Sequence, residues 1–504
     1  MSRCVVALVA IFAIAVSVWQ LETGRGGLEI TPLEVPGGTP ATFYRRADAG
    51  PASAVVIAHG FAGSQQLMAS YALTLARAGH LVATFDFEGH GRNPTPMSGD
   101  VTSIDGTTQL LMAEAGRVAD ALLAQPEADG RLAYLGHSMA ADIIVRQALE
   151  SPTADAVVAV SMFSRAVTAD EPRNLLVIVG DWEPRLKAEA LRVLAMADSD
   201  ATPGETVGEI AEGTARRVVF APRVEHVGVL YSQVALAAAR DWLDAVFADV
   251  TARAADAGTD APVARRGGWI ALLLAGIVAL AWPLCALLPA GTSRVTRLST
   301  RRFAVAALLP AALVPLVLWP LETRVLPALV ADYLVLHFAL YGAVTLALLW
   351  RAGALTAQAW GRVAWIALAV AVFSIVVFGA ALDRYVASFF PHAGRVAVIV
   401  GLVLGAVPLL VGDALLTEGG RAPVWRVLLV RGAFVASLGI AVALDPGSLF
   451  FLLIILPVIV LFFLVFGTIG GWVGRRTGLP VAAGLGLGLV LAWAVGVSFP
   501  MFVG

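Results

Sequence analysis

One short stretch of the sequence has the residue types and spacing of a catalytic nucleophile. Ser138 follows an apolar run and stands in the pattern G-H-S-M-A, with the small residues Gly136 and Ala140 on either side of it. A serine on a sharp turn between a strand and a helix needs small neighbours at those places, because its hydroxyl must be exposed. The turn also directs the N–H of Met139 and the start of the next helix at a developing oxyanion. The alternative reading is an ordinary helix N-cap at Ser138.

The sequence around this serine has the alternating pattern of an α/β domain. Residues 28–35 and 39–45 alternate apolar and polar positions around a Pro-Gly-Gly turn and predict a hairpin. Further strands are predicted at 54–59, 80–87, 132–135, 155–162, 174–180 and 215–220, and helices at 65–78, at 107–123, directly after Ser138 and at 232–247. Because strands alternate with helices, we expect a mostly parallel sheet with helices on both faces.

With the serine turn placed, two stretches before it resemble the α/β-hydrolase family. The sequence H-G-F-A-G at 59–63 directly follows a predicted strand and is similar to the family's H-G-x-x-G oxyanion loop. The sequence D-F-E-G-H-G-R-N at 86–93 is similar to the family's D-x-R-G-H-G-x-S turn. It departs from that pattern at Glu88 and Asn93, neither of which carries chemistry.

Two stretches after the serine extend the resemblance. The sequence G-D-W-E-P at 180–184 stands where the family has an acidic turn before a proline. His226 follows a predicted strand and precedes a predicted helix, as the family's histidine does. The order serine, acid, histidine is the one that this fold uses. The resemblance covers residues 28–250 and implies an α/β-hydrolase-type domain with esterase-like or lipase-like activity.

The resemblance implies three catalytic roles and an oxyanion hole. Ser138 attacks a carbonyl carbon, His226 accepts its proton and later gives it to the leaving group, and a carboxylate fixes the tautomer of the imidazole. The backbone N–H groups of Phe61 and Met139 are implied as the oxyanion hole. This chemistry needs no cofactor and no metal, so we expect none.

Two carboxylates remain open for the third role. Glu183 occupies the position that the family motif predicts, whereas Asp181 lies nearer the strand end and has the commoner residue type. His137, beside the nucleophile, and Trp182, in the acidic turn, are candidates for binding the substrate. The connection between residues 162 and 174 is too short for a cap domain. We therefore expect a site that is open, or one completed by the bilayer surface or by the rest of the chain.

The composition and the second half of the chain predict a membrane domain. Apolar residues make up 58% of the chain, charged residues 14%, and the mean hydropathy is +0.80. Eight stretches are each close to the roughly 20 residues that a bilayer requires. They are 269–289, 302–320, 327–350, 362–381, 395–415, 425–444, 448–470 and 479–502. The expected division is a signal anchor at 1–22, a hydrolase-like domain at 28–250, a linker at 251–268 and an all-α membrane domain at 269–504.

Arginines predict how these segments are oriented. The arginine-bearing loops alternate, so they all lie on one side, which the positive-inside rule makes cytoplasmic. These loops contain arginines at 294, 297, 301, 302, 351, 362, 421, 426, 475 and 476. Arg3 keeps the N-terminus on the same side, which places the hydrolase-like domain outside the cytoplasm. Arg265 and Arg266 contradict the rule.

A single lysine, Lys187, among many arginines indicates a GC-rich, bacterial genome.

Two classes of function remain. The first is a membrane-anchored serine hydrolase that cleaves an ester, thioester or amide. Its expected partners are a small-molecule or lipid-like acyl substrate and the lipids of the membrane. An acyltransferase is the variant in which a hydroxyl other than water resolves the acyl-enzyme. The second is a transport or sensory membrane protein with a ligand-binding hydrolase-like domain, for which Asp332, His337 and Arg431 are the intramembrane candidates. The net charge of -2 gives no electrostatic basis for nucleic-acid binding. The sequence leaves the oligomeric state open.

Overall fold

The computed structural model describes residues 2–48, 50–100, 104–248, 262–292, 296–321, 325–328 and 330–503. The first half runs in the order α1 (Arg3–Thr23), β1 (Leu28–Leu33), β2 (Ala41–Arg46), β3 (Ala52–Ala58), α2 (Ala69–Arg77), β4 (Leu81–Phe85), α3 (Gln109–Leu123), β5 (Ala128–His137), α4 (Met139–Glu150), β6 (Ala154–Val160), β7 (Leu175–Gly180), α5 (Pro184–Ala197), β8 (Thr206–Val207), β9 (Arg216–Ala221) and α6 (Gln233–Val246). The second half continues with α7 (Gly267–Leu284), α8 (Thr300–Leu318), α9 (Ala331–Arg351), α10 (Trp360–Val372), α11 (Gly379–Tyr385), α12 (Val396–Leu416), α13 (Val424–Leu444), α14 (Pro446–Leu449), α15 (Leu452–Thr477) and α16 (Pro480–Ser498).

The strands of the first half form one mixed sheet in the order β1-β2-β4-β3-β5-β6-β7-β9-β8. The six strands from β4 to β9 in that order are parallel, whereas β1, β2 and β8 at the two edges pair antiparallel. Every residue of β3 and β7 is buried, as continuous apolar strands in the middle of a covered sheet require. Helices α3, α4 and α5 cover one face, and α2 and α6 cover the other. The predicted α/β class is confirmed.

Parallel strands bring their carboxyl ends to one edge of a sheet, and the loops that leave this edge are where such folds bind ligands. The loop after β3 contains residues 59–63, and the turn after β5 contains Ser138. The loop after β7 contains residues 180–184, and the loop after β9 contains His226. Four of the five stretches that the sequence analysis selected therefore leave the same edge.

The remaining helices, α1 and α7 to α16, form what we call the helical region. Within the described ranges, nine helices are long and apolar enough to cross a membrane: Arg3–Thr23, Gly267–Leu287, Thr300–Leu318, Ala331–Arg351, Trp360–Tyr385, Ala393–Leu416, Val424–Leu444, Leu452–Thr477 and Pro480–Ser498. Eight of them correspond to the eight expected stretches, including the proline-containing α8. Helix α1 packs against α7, where a Cβ at Gly276 would lie 3.0 Å from Cγ1 of Ile14.

The hydrolase-like half contacts the helical region through loops at the carboxyl edge of its sheet. The carbonyl of Gly89 accepts hydrogen bonds from the N–H of Met501 (2.9 Å) and from the guanidinium of Arg395 (3.0 Å). Gly89 has a φ of +76°, and a Cβ there would lie 2.5 Å from the carbonyl oxygen of Met501, so this close approach requires glycine. A second contact joins the N–H of Ser388 to the hydroxyl of Ser64 at 3.0 Å.

Close helix packing in the helical region generates the first prediction. At the contact of α9 with α12, a Cβ at Gly342 would lie 2.4 Å from the backbone nitrogen of Leu409. Gly342→Leu should therefore force the two helices apart and cost about 1–3 kcal/mol of folding free energy. Gly432→Leu on α13 is the matched control, since nothing lies within 4 Å of a Cβ at that position. Thermal unfolding in detergent should show a lowered midpoint for the first variant, and equal midpoints would contradict the packing described.

Candidate active site

Ser138 occupies a strained turn between β5 and α4. Its backbone has φ 56° and ψ −119°, a region that residues with side chains rarely adopt. The N–H of Ser138 donates to the carbonyl of Val160 on the neighbouring strand at 2.9 Å, which holds the turn in place. A Cβ at Gly136 would lie 2.7 Å from the carbonyl oxygen of Ala140, so only glycine fits there. This geometry is the sharp strand-turn-helix that the sequence predicts.

His226 connects the serine to a carboxylate. Its Nε2 lies 2.8 Å from the hydroxyl oxygen of Ser138, and its Nδ1 lies 2.6 Å from Oε1 of Glu183. With Nδ1–H donating to the carboxylate, Nε2 has a lone pair directed at the serine hydroxyl. This is the geometry in which an imidazole can accept the proton of an attacking serine. The imidazole is 43% exposed, so solvent or substrate reaches it.

Glu183 is held by hydrogen bonds from three loops. Besides His226, its carboxylate accepts from the hydroxyl of Ser161 at 2.7 Å and from the N–H of Gly180 at 2.8 Å. Burial acts to raise the pKa of Glu183, but these three hydrogen bonds outweigh it and lower the pKa below its usual value. Glu183 is therefore ionised at neutral pH. The sequence analysis did not select Ser161. The only sequence signal for this residue was its place directly after β6, at the same edge of the sheet.

Asp181 has a different partner. It lies 2.6 Å from the ammonium of Lys187 in an ion pair, and its side chain is 44% exposed. The structure therefore brings Glu183, and not Asp181, to His226. The sequence left both carboxylates open, because the residue-type preference for aspartate and the position in the motif pointed to different residues.

The loop after β3 lies directly against Ser138. A Cβ at Gly60 would be 3.0 Å from the Cβ of Ser138, so the backbone at Phe61 runs close to the serine. His59 fixes this loop, since its Nε2 accepts from the N–H of Phe87 at 3.1 Å and its Nδ1 donates to the carbonyl of Gly60 at 2.8 Å. Burial lowers the pKa of His59, which keeps the ring neutral. Across the serine, Met139 provides the first N–H of α4, where intrahelical acceptors are lacking.

His137, which the sequence predicts to bind the substrate, is buried in the structure. Its ring is only 3% exposed, and its Nε2 donates to the carbonyl of His226 at 2.8 Å. Burial lowers the pKa of His137 to about 3, so the ring is neutral and carries one N–H. A buried ring that donates to the backbone of the histidine loop helps to position His226. Trp182, by contrast, is 63% exposed beside Glu183.

Of the two departures from the family turn, Asn93 has a structural role through its side chain, and Glu88 contributes its backbone N–H. The side-chain amide of Asn93 donates to the carbonyl of Asp86 and to the carboxyl of Glu114, each at 2.9 Å. The N–H of Glu88 donates to the same Glu114 carboxyl at 2.8 Å. Burial raises the pKa of Glu114 to about 7. The turn is thus held by a buried carboxyl group that the sequence analysis did not select.

The polar residues expected within the helical region each have partners. Asp332 accepts from the N–H groups of the preceding turn at 2.8 to 3.1 Å, and His337 lies 3.1 Å from the hydroxyl of Ser437. Arg431 forms an ion pair with Asp413 at 3.1 Å. Among the described residues, no group of three or more His, Cys, Asp or Glu side chains is arranged to hold a metal ion.

Comparison with known proteins agrees with this geometry over part of the chain. Residues 49–199 match the sequence model of a family described as serine aminopeptidase, S33. Two uncharacterized proteins from two strains of Mycobacterium tuberculosis are each 31% identical over 113 residues, which is 22% of this chain and 37% of theirs. The match thus spans little more than a third of the length of these curated relatives.

Solved structures show weaker likeness. A dienelactone hydrolase from Anabaena variabilis is 19% identical and matches 44% of this chain and 97% of its own, with a TM-score of 0.31. An esterase from Pyrobaculum calidifontis is 14% identical and matches 49% of this chain and 94% of its own, also with a TM-score of 0.31. TM-scores of 0.31 support no conclusion about this chain. The strand order, the strained serine turn and the family match together identify an α/β-hydrolase domain, which this chain joins to a helical region.

The partner of His226 generates the second prediction. Glu183→Gln removes the charge that fixes the imidazole tautomer, and the rate of acylation should fall on the order of 10⁴-fold, as for the equivalent change in other serine triads. Asp181→Asn is the matched control and should stay within a few-fold of the native rate, because its partner is Lys187. The rate constant of inactivation by a fluorophosphonate measures both variants. The reverse order of sensitivity would assign the carboxylate role to Asp181.

Proposed function

We propose that this chain is a membrane-anchored serine hydrolase that cleaves an ester, thioester or amide through an acyl-enzyme at Ser138. The observation that carries the proposal is the continuous hydrogen-bonded series from Ser138 through His226 to Glu183, with distances of 2.8 and 2.6 Å. An N-cap serine needs neither a histidine at its hydroxyl nor a strained backbone. The family match also favours this chemistry, since its description names a serine aminopeptidase.

The proposed reaction proceeds in two halves. The hydroxyl oxygen of Ser138 attacks the substrate carbonyl carbon while its proton moves to Nε2 of His226. The negative oxygen of the tetrahedral intermediate accepts hydrogen bonds from the N–H groups of Phe61 and Met139. When the intermediate collapses, the bond to the leaving group breaks and that group takes the proton from Nε2. Water then repeats the same steps on the acyl-enzyme, with His226 as base, and releases the carboxylic acid.

Two features of the site support its role in this reaction. The ionised Glu183 stabilises the imidazolium that forms while Nε2 holds the proton. The partial exposure of His226 lets water reach the acyl-enzyme, which favours hydrolysis as the second half-reaction. The transport alternative has less support, because His337, Asp332 and Arg431 already have partners within the helical region.

We further propose that the hydrolase domain lies outside the cytoplasm of a bacterial cell. The nine long apolar helices are compatible with a multi-pass membrane protein. The distribution of arginines in alternate loops supports this orientation, because cytoplasmic loops of membrane proteins carry an excess of such residues. Both α1 and α7 connect to the hydrolase domain, and their ends nearer to it are then the outer ends.

The third prediction tests the nucleophile. Ser138→Ala and His226→Ala should abolish labelling by a fluorophosphonate, because phosphonylation requires an activated hydroxyl and expels fluoride. Ser151→Ala, at a serine of the same domain with its hydroxyl 3.2 Å from that of Thr153, is the matched control and should label like the native chain. Gel fluorescence of membranes measures all three. A labelled Ser138→Ala variant would show that another residue is the nucleophile.

The fourth prediction tests the orientation. In a chain with Cys4→Ser and Cys285→Ser, a cysteine at Thr153 in the hydrolase domain should react with a membrane-impermeant maleimide on intact cells. A cysteine at Thr356, in the exposed loop between α9 and α10, should react only after the cells are permeabilised. The opposite pattern would place the hydrolase domain in the cytoplasm.

A further inference from the structure

Among the described residues of the hydrolase domain, no cap is inserted between β6 and β7. The connection from β6 to β7, residues 161–174, contains neither a helix nor a strand. His226 is correspondingly 43% exposed. A serine site without a cap admits acyl compounds of many sizes. Selection among such substrates then depends on residues outside the hydrolase domain.

A turn of the helical region covers one side of the site. The ring of Phe451, between α14 and α15, lies 4.8 Å from the ring of Phe61, which belongs to the loop against Ser138. The ring centroid of Phe61 also lies 5.6 Å from that of His90 in the hydrolase domain. Phe61 therefore contacts both the hydrolase domain and the helical region. Phe451 thus contacts the loop that lies against Ser138.

The covering turn is rigidly held. Leu449 and Leu452, on either side of Phe451, are 7% and 1% exposed and belong to the core of the helical region. The carboxylate of Asp445 accepts from the N–H of Ser448 at 3.1 Å and caps the short helix α14. Because both flanking leucines are buried in the helical core, the position of Phe451 relative to Phe61 is set by the helices and not by the hydrolase domain.

Exposed apolar side chains stand on the loops around the catalytic residues. Phe163 follows β6, Trp182 precedes Glu183, Val227 follows His226, and Phe450 precedes Phe451. Their exposed fractions are 56%, 63%, 45% and 56%. These side chains give the loops around the site apolar surface, which suits an apolar ligand or a membrane. Aromatic residues also favour the level of the lipid headgroups.

These observations concern the same edge of the sheet, which is also the edge that contacts the helical region through Gly89, Arg395 and Met501. Ser138 therefore lies at an edge of the sheet that contacts a region of long helices, which are apolar enough to cross a membrane.

On the basis of the proposed function, we propose that the substrate is an amphiphilic lipid ester held in the outer leaflet, and that the Phe450–Phe451 turn is the cover that selects it. The acyl chain lies along Phe450 and Phe451, while the carbonyl reaches Ser138 from the bilayer side. Attack by the hydroxyl breaks the bond from the acyl carbon to the alcohol oxygen, which takes the proton from His226 and leaves. Phe451 positions the substrate and takes no part in proton transfer.

The fifth prediction compares two esters that release the same chromophore. The full chain is reconstituted in phosphatidylcholine vesicles with para-nitrophenyl palmitate in the bilayer or para-nitrophenyl acetate in the water. The native chain should prefer palmitate, and Phe451→Ala should lower the palmitate-to-acetate ratio of kcat/KM about 10-fold or more, whereas Phe451→Leu should retain most of it. A lost aromatic contact to an acyl chain of this kind is worth about that factor. Phe12→Ala, at a phenylalanine 71% exposed on α1, is the control and should leave the ratio unchanged.

A second variant covers the case in which Phe451→Ala fails to insert. Phe450→Ser removes an exposed side chain with no share in the helical core and should also lower the ratio. A native chain that cleaves acetate but not palmitate, or variants with an unchanged ratio, would overturn the lipid proposal and leave the serine hydrolase intact. A native chain that neither cleaves acetate nor reacts with fluorophosphonate would overturn both.

Discussion

The backbone of Ser138 is the constraint on which the rest of the candidate active site depends. Its positive φ costs about 1–3 kcal/mol and persists only because the surroundings determine it. Gly136 and Gly60 have no side chains, which leaves room for the turn. The hydrogen bond from the N–H of Ser138 to the carbonyl of Val160 fixes the position of the turn. Once the hydroxyl is in this place, the histidine and the oxyanion loop have little freedom in where they can lie.

Glu183 has a comparable effect on the other side of the histidine. Its ionised carboxylate is mostly buried, and its hydrogen bonds come from the ends of three strands, through Gly180, Ser161 and His226. An unpaired buried charge is costly, so these partners are held together by the same electrostatic requirement. The carboxylate thus connects the loops after β6, β7 and β9. His137 stabilises the last of these loops by donating a hydrogen bond to the carbonyl of His226.

The sequence predicted the features that have a local pattern. Strand periodicity predicted the parallel sheet, and three short motifs predicted Ser138, His226 and the pair of carboxylates that contains Glu183. Strand β8, at two residues, is too short to have a period, and α5 was missed although its sequence is apolar at helical spacing. Burial of His137 depends on residues from distant strands, which no local pattern records. The contacts of Phe61 with Phe451 and of Gly89 with Arg395 join residues that lie far apart in the chain and leave no signal in a single sequence.

The pairing of Gly89 with Met501 has a consequence for the order of synthesis. Residues at the far end of the chain bond to the turn after β4, on both sides through Met97 and Gly89. A ribosome completes the α/β sheet long before it completes α16, so this edge of the sheet lacks its partners throughout most of translation. The contacts of this turn with the segment after α16 can form only once α16 has been made, so this edge of the sheet gains them late in the folding of the chain.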